Sequence, residues 1–351
     1  MKTNIIIFDT SNVPFLDNRI FIPDVSKKYP GANCITLFYN MASALGYKVY
    51  TSDYVINNNI DIYNANVITE IESPWTNLLV KRGAKLTLLV CSETPSFAWK
   101  FYSNLYKISS KYKYSFLFKG TESKVSNLTN FQAAFFPQPD ISTFKRYNKP
   151  WSDRFFLTLL NSNQIRRVIK PAHILATLKD KTLKEELYTL RLKAIEFFHN
   201  NSNFHLYGRN WDKKLFGIPK RQFNAALKCY KGAVEDKVET LSNYKFTICF
   251  ENAVFEGYIT EKIFDCFYAN SIPIYYGAPD ICDHIPKDCF IDFRKFKSFD
   301  ELNDFLNSIS EQEFDKYISA INMFLESTEF NKFSEITFAK KMLNAIQNEN
   351  I

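Results

Sequence analysis

The residues with most chemical potential lie in one stretch, 244–277, which reads YKFTICFENAVFEGYITEKIFDCFYANSIPIYYG. Tyr258, Glu261 and Lys262 are three and four residues apart, so they can share one side of a first helical turn. Asn252 adds an amide a few residues earlier. A helix start also offers free backbone N–H groups and the positive end of the helix dipole, which suit an anion. A cation, a phenol, a carboxylate and an amide could together hold a diphosphate and a sugar. Spacing alone leaves a plainer alternative open. Glu261 could simply complement the dipole, Lys262 could be solvated, and Tyr258 could pack.

The elements that must position these groups are legible around them. Residues 245–250 form an apolar, aromatic-rich run that reads as a buried strand. Glu251 and Asn252 end it, and Gly257 breaks the chain. Thr260 is a plausible helix cap. Ile263, Phe264, Phe267 and Tyr268 then follow at helical spacing. A second strand, 272–276, is closed by Gly277 and Pro279. The order is strand, loop, helix, strand, and in open α/β sheets ligands gather where strand ends meet helix starts.

The pattern Phe250-Glu251-Asn252, Tyr258, Thr260-Glu261-Lys262, then Ile272-Pro273-Ile274-Tyr275-Tyr276-Gly277 closely resembles the donor-binding signature of the α-1,3/1,4-fucosyltransferases, glycosyltransferase family 10. The resemblance is clear over about 191–293 and thin before 150. It implies a bacterial-type enzyme that moves fucose from GDP-fucose to a hydroxyl of an acceptor glycan, with inversion and an α-1,3 or α-1,4 linkage. It also implies a GT-B-like α/β fold, two Rossmann-like domains facing a central cleft.

One motif of the first half carries a further role. Residues 85–91 (KLTLLVC) read as a strand ending at Ser92-Glu93-Thr94-Pro95. Pro95 prevents easy continuation of the ladder. Glu93 thus sits at a strand's carboxyl end; without the family it reads as a solvated loop residue. The family carries a short Glu-Ser-Pro-like motif here, whose Glu is the expected catalytic base. The resemblance likewise assigns Arg191 to the donor's phosphates, from its distance before the strand motif Leu206-Tyr207-Gly208-Arg209, with Arg209 the weaker candidate. Arg191, Lys262 and Tyr258 are expected to hold the diphosphate, and Asn252 and Glu261 the donor's sugars.

A diphosphate leaving group needs cations, supplied by a metal or by side chains. The chain holds no Asp-x-Asp triplet, so Arg191, a planar fork, and Lys262, a point charge, are expected to serve with no metal and no cofactor. No Gly-x-x-x-x-Gly-Lys occurs, which argues against a P-loop nucleotidase.

Composition sets wider bounds. The 351 residues suffice for two domains. The expected division is 1–150 for acceptor binding, 151–330 for the GDP-sugar, and 331–351 as a terminal helix. The net charge of +7 fits an anionic ligand, a membrane surface or a nucleic acid. No recognisable RNA or DNA module accompanies it, so nucleic acid ranks last as a partner. The cysteines number seven and form no Cys-x-x-Cys pair, which reads as reduced buried thiols in a cytosolic protein. The first ten residues read as a strand rather than a signal peptide. No run of 18 apolar residues occurs. The expected location is the cytoplasm, with peripheral contact at the inner membrane face. The expected acceptor is an oligosaccharide or glycolipid, such as lipopolysaccharide. A different nucleotide-sugar, or a non-catalytic glycan- or nucleotide-binding role, is the alternative.

Other readings complete the chain. Strands are expected at 4–8, 47–50 and 155–160, and a helix at 34–45 stopped by Gly46. Strand, helix, strand at that spacing suggests a parallel layer. Residues 111–114 (Lys-Tyr-Lys-Tyr) suit either phosphate contact or a lysine-guarded sheet edge. Residues 166–182 read as a basic linker or insertion, followed by an amphipathic helix from Leu183 to Phe198.

Overall fold

The computed structural model describes residues 4–347 except 72, 146, 165–170 and 216. The chain divides into two compact units. The first comprises residues 1–140 with 331–351, and the second residues 141–330.

The first unit is built on six parallel strands: β1 Ile5–Asp9, β2 Lys48–Thr51, β3 Asn66–Glu70, β4 Lys85–Val90, β5 Tyr114–Leu117 and β6 Phe131–Ala133. Their order is β2-β1-β3-β4-β5-β6. The Asn33–Ala44 helix lies between β1 and β2 in the chain, as its apolar spacing predicts. Its buried face joins Ile6, Phe8, Ile68, Leu88 and Phe116 in one core cluster. The Lys-Tyr-Lys-Tyr segment does not guard an edge, because Tyr114 opens β5, which pairs with β4 on one side and β6 on the other.

The second unit carries five parallel strands: β7 Phe155–Leu160, β8 Phe204–Tyr207, β9 Tyr244–Phe250, β10 Ile272–Tyr276 and β11 Ile291–Asp292. Their order is β11-β10-β9-β7-β8. From β7 the chain passes to β8 on one side and then to β9 on the other. The β7/β9 junction is therefore the topological switch point, where the crevice of a doubly wound sheet opens at the strands' carboxyl ends.

Three expectations shift. The division falls near 140, not 150. Phe144 and Trp151 already pack on the second unit: Phe144 stacks on Tyr268 at 4.2 Å, and Trp151 lies against Phe246 and Phe314. The C-terminal helix, Glu335–Gln347, is not a separate appendage. It buries Phe338, Met342 and Ile346 in the first unit's core, and Glu335 Oε2 accepts from Asn33 Nδ2 at 2.6 Å. Finally, part of the expected linker is ordered: Pro171–Lys179 is a helix, Lys181–Lys184 is a short 3-10 turn, and the next α-helix begins at Tyr188, not Leu183. Residues 166–170 of that expected linker lie outside the described residues.

Among the described residues, no helix is long and apolar enough to cross a membrane. All seven cysteines are free thiols, six buried and Cys282 exposed. Burial pushes the Cys91 thiol up to about 12.

Candidate functional site

The site grows from the end of β9. Glu251 follows this almost fully buried strand, and its own side chain is buried. A carboxylate there must be compensated by donors. Thr260, the residue before the Glu261–Tyr268 helix, donates to Glu251 from its amide (2.8 Å) and its hydroxyl (2.8–3.0 Å). Thr260 therefore stands at the expected cap position, but its side chain turns back to Glu251 rather than capping the helix. Gly277 at the end of β10 leaves the room: a Cβ there would lie 2.5 Å from Glu251 Cγ.

Lys262 completes this knot. Its ammonium lies 3.1 Å from Glu251 Oε2, 2.9 Å from Thr260 Oγ1 and 3.7 Å from Glu261 Oε1. Burial works against the charge, but the two carboxylates outweigh it and raise the lysine's pKa. The side chain keeps 24% of its surface exposed, so it can still reach a ligand.

Arg191 sits on the Tyr188–Phe198 helix and is buried. Nη1 donates to Asn161 Oδ1 at 2.9 Å. Nη2 donates to the Phe250 carbonyl at 2.5 Å and to Asn252 Oδ1 at 3.1 Å. Its guanidinium lies 4.9 Å from the Tyr188 ring centroid. Burial lowers its pKa, and the nearby Glu251 works in the opposite direction. Asn252 in turn donates from Nδ2 to the Tyr258 hydroxyl at 3.2 Å. The arginine thus ties the ends of β7 and β9 together. Gly208 makes that closure possible. Its φ is +137°, and a Cβ there would meet the Asn161 carbonyl oxygen at 2.0 Å. The neighbouring Arg209 is exposed.

These groups line a cavity of about 220 Å³ at the switch point, walled by Asn161, Arg191, Asn252, Glu261 and Lys262. Whole-ligand sites commonly measure roughly 300–1,000 Å³, so this cavity matches part of a ligand, on the scale of a diphosphate. Lys237 also lines it, paired with Asp265 at 3.3 Å, and that carboxylate raises its pKa. Burial works to raise the pKa of Glu261, but Lys262 and Lys237 bring it below its ordinary value. The cations Arg191, Lys237 and Lys262 are matched by Glu251, Glu261 and Asp265. An arriving diphosphate would therefore compete with carboxylates for the lysines rather than meet bare cations.

The structure brings Arg191, Asn252, Tyr258, Glu261 and Lys262 into one cluster within the second unit. Glu93 belongs to the first unit. It lies just past β4 and is half-buried, and its carbonyl accepts from the Tyr102 hydroxyl at 2.8 Å. Sequence reasoning missed Glu251, Asn161, Lys237 and Asp265. Glu251 stood in the Phe250-Glu251-Asn252 signature, but with no role beyond a polar residue ending an apolar run. Lys237 and Asp265 are 28 residues apart in the chain and Asn161 lies far upstream of both, so no local signal joins them.

Two open, all-parallel sheets, one with a charge-lined cavity at its switch point, define a Rossmann-like fold of the GT-B class. Solved structures agree on the fold. One is an α1,3-fucosyltransferase with GDP-fucose, at a TM-score of 0.52 and 16% identity over 99% of this chain and 91% of that one. Another is a glycosyltransferase from Rickettsia africae, at a TM-score of 0.54 and 9% identity over 98% of each chain.

Residues 184–341 match the model of glycosyltransferase family 10 (fucosyltransferase), C-terminal part. That stretch contains the donor-side motifs on which the resemblance rests. The chain is 44% identical to the α-(1,3)-fucosyltransferase FucT of Helicobacter pylori over 73 residues, 21% of this chain and 15% of that protein. It is 38% identical to an α-(1,4)-fucosyltransferase of Arabidopsis thaliana over 71 residues, 20% of this chain and 18% of that protein. The matched stretches thus span less than a fifth of these relatives' length.

Proposed function

We propose that the chain transfers fucose from GDP-fucose to a hydroxyl of an acceptor glycan, with inversion at the anomeric carbon. The supporting observation is the switch-point cavity lined by Arg191, Asn252, Glu261 and Lys262, inside the segment that matches the fucosyltransferase family. Lys262 meets the departing diphosphate, and Arg191 fixes the strand ends that frame it. Tyr258 completes the phosphate side through Asn252, while Asn252 and Glu261 face the donor's sugars. No metal is needed in this scheme, because side-chain cations take the leaving charge.

Glu93 is the proposed general base. It takes the proton of the acceptor hydroxyl as that oxygen forms its bond to the anomeric carbon. The bond from that carbon to the β-phosphate oxygen breaks, and GDP leaves with the electron pair. A carboxylate is needed only on the incoming side, as in inverting sugar hydrolysis, because the leaving group needs no proton. An oligosaccharide or glycolipid of a surface polysaccharide suits the acceptor role, with an α-1,3 or α-1,4 linkage.

The test is transfer to a glycan array read by mass, with a panel of nucleotide-sugars as donors. Turnover is expected with GDP-fucose, persists in excess EDTA, and falls by about 100-fold or more in Glu93→Gln. Preference for another donor, loss in EDTA, or near-normal turnover of Glu93→Gln would overturn the corresponding part of the scheme.

A further inference from the structure

The second unit holds another pocket, at the opposite end of its sheet from the switch-point cavity. It measures about 540 Å³ and is lined by Arg154, Lys245, Asn201, Asn203 and Asn307 among others. Arg154 stands just before β7, Asn201 and Asn203 just before β8, and Lys245 at the start of β9. The pocket therefore opens at the amino ends of these strands. Its size falls within the roughly 300–1,000 Å³ of sites that take a whole small ligand.

Arg154 points to an anion as the occupant. The residue is only 7% exposed. Nε donates to the Lys149 carbonyl at 3.0 Å, and Nη1 to the carbonyls of Asn270 at 2.9 Å and Tyr244 at 3.3 Å. Nη2 has no hydrogen-bond partner among the described residues. Burial lowers the arginine's pKa to about 10, and no carboxylate works against it. A buried cation without a counter-ion is costly.

Lys245 is the second cation of the lining. Its ammonium lies 3.6 Å from the Trp151 ring centroid, and the Arg154 guanidinium lies 5.4 Å from that of Phe314. The two rings touch, with centroids 5.1 Å apart, so one aromatic pair holds both cations. Burial lowers the lysine's pKa, and Glu311 opposes that only in part. Asp153 is the one acidic residue of the lining. Its carboxylate accepts from Ser152 Oγ at 2.9 Å and pairs with neither cation. The lysines of the switch-point cavity, by contrast, each have a carboxylate beside them. The amides of Asn201, Asn203 and Asn307 complete the lining and suit the hydroxyls of a sugar-like body.

We propose that this pocket binds a small polyhydroxylated anion, a sugar carrying a phosphate or a carboxylate, with Arg154 Nη2 and Lys245 Nζ meeting the anionic group. The proposal stands independently of the sugar-transfer reading, because binding is measured without donor or turnover. Arg154 also holds the carbonyls of Tyr244, at the start of β9, and of Asn270, just past the Glu261–Tyr268 helix. The pocket thus abuts the far ends of the strand and helix that carry the donor-side site.

The test is calorimetric titration of glucose 6-phosphate, glucuronic acid, inorganic phosphate and glucose into the full chain. At least one of the two anionic sugars is expected to bind about tenfold or more tightly than glucose and than inorganic phosphate, and the tighter of the two identifies the preferred anionic group. Lys245→Gln, at a half-buried position, weakens that binding by about tenfold or more. Arg154→Gln does the same, with thermal unfolding to establish that each variant is folded. Lys262→Ala, in the switch-point cavity, leaves it unchanged. No binding of either anionic sugar, equal binding of glucose or inorganic phosphate, or undiminished affinity in Lys245→Gln would overturn the proposal. Loss of binding in Lys262→Ala would place the probe in the switch-point cavity and overturn it equally.

Discussion

At the scale of single residues, Glu251 organises the candidate site although it is not itself a donor ligand in the scheme. Its buried carboxylate takes the amide and hydroxyl of Thr260 and pairs with Lys262. Removing one partner of such a pair leaves the other uncompensated. Lys262 is partly exposed, which limits the penalty, so Glu251→Gln is expected to destabilise the chain by about 1–3 kcal/mol. Combining it with Lys262→Met should recover part of that loss in a double-mutant cycle. Thermal unfolding of the three variants checks this, and strict additivity would remove the coupling. The five donor-side residues were legible because a long mixed motif encodes four of them locally. Glu251 was not, because its importance is set by burial and by Gly277 on the adjacent strand, both tertiary facts.

At the scale of elements, the β7/β9 junction depends on a close backbone approach. Gly208 has a φ that L side chains rarely adopt, and it faces the Asn161 carbonyl. The same Asn161 holds Arg191 through its side chain and accepts from Trp211 Nε1 through its backbone. Gly208→Ala should therefore cost more than about 2 kcal/mol, through strain and collision together. A denaturant midpoint unchanged from that of the parent chain would contradict this. The strands were readable as short apolar runs, including β4, β7, β9 and β10. The pairing order was not, because it is decided by contacts across the sheet. The Pro171–Lys179 helix escaped notice for a related reason. Its inward face is polar, so its pattern lacks the stripe that normally marks a packed helix.

At the scale of the whole molecule, chain order and structural units do not coincide. The first unit is completed by the Glu335–Gln347 helix, which lies against the Asn33–Ala44 helix some three hundred residues earlier. The sequence reads that helix as terminal because nothing local records where it packs. The length, by contrast, allowed two domains, the strand-helix-strand pattern suggested parallel layers, and the net charge of +7 was modest. That charge does not leave bare cations in the cavity; it sits there in balanced pairs. In the proposed scheme a diphosphate would gain by drawing Lys262 from its carboxylate partners, an interaction that would strengthen as charge develops on the leaving group. The most direct test is calorimetric titration of GDP-fucose into the full chain and into Lys262→Ala, with thermal unfolding to establish that the variant is folded. Binding weakened by about tenfold or more in the folded variant is the expected result. Equal affinity in both would place the donor's diphosphate elsewhere and contradict the assignment of this cavity.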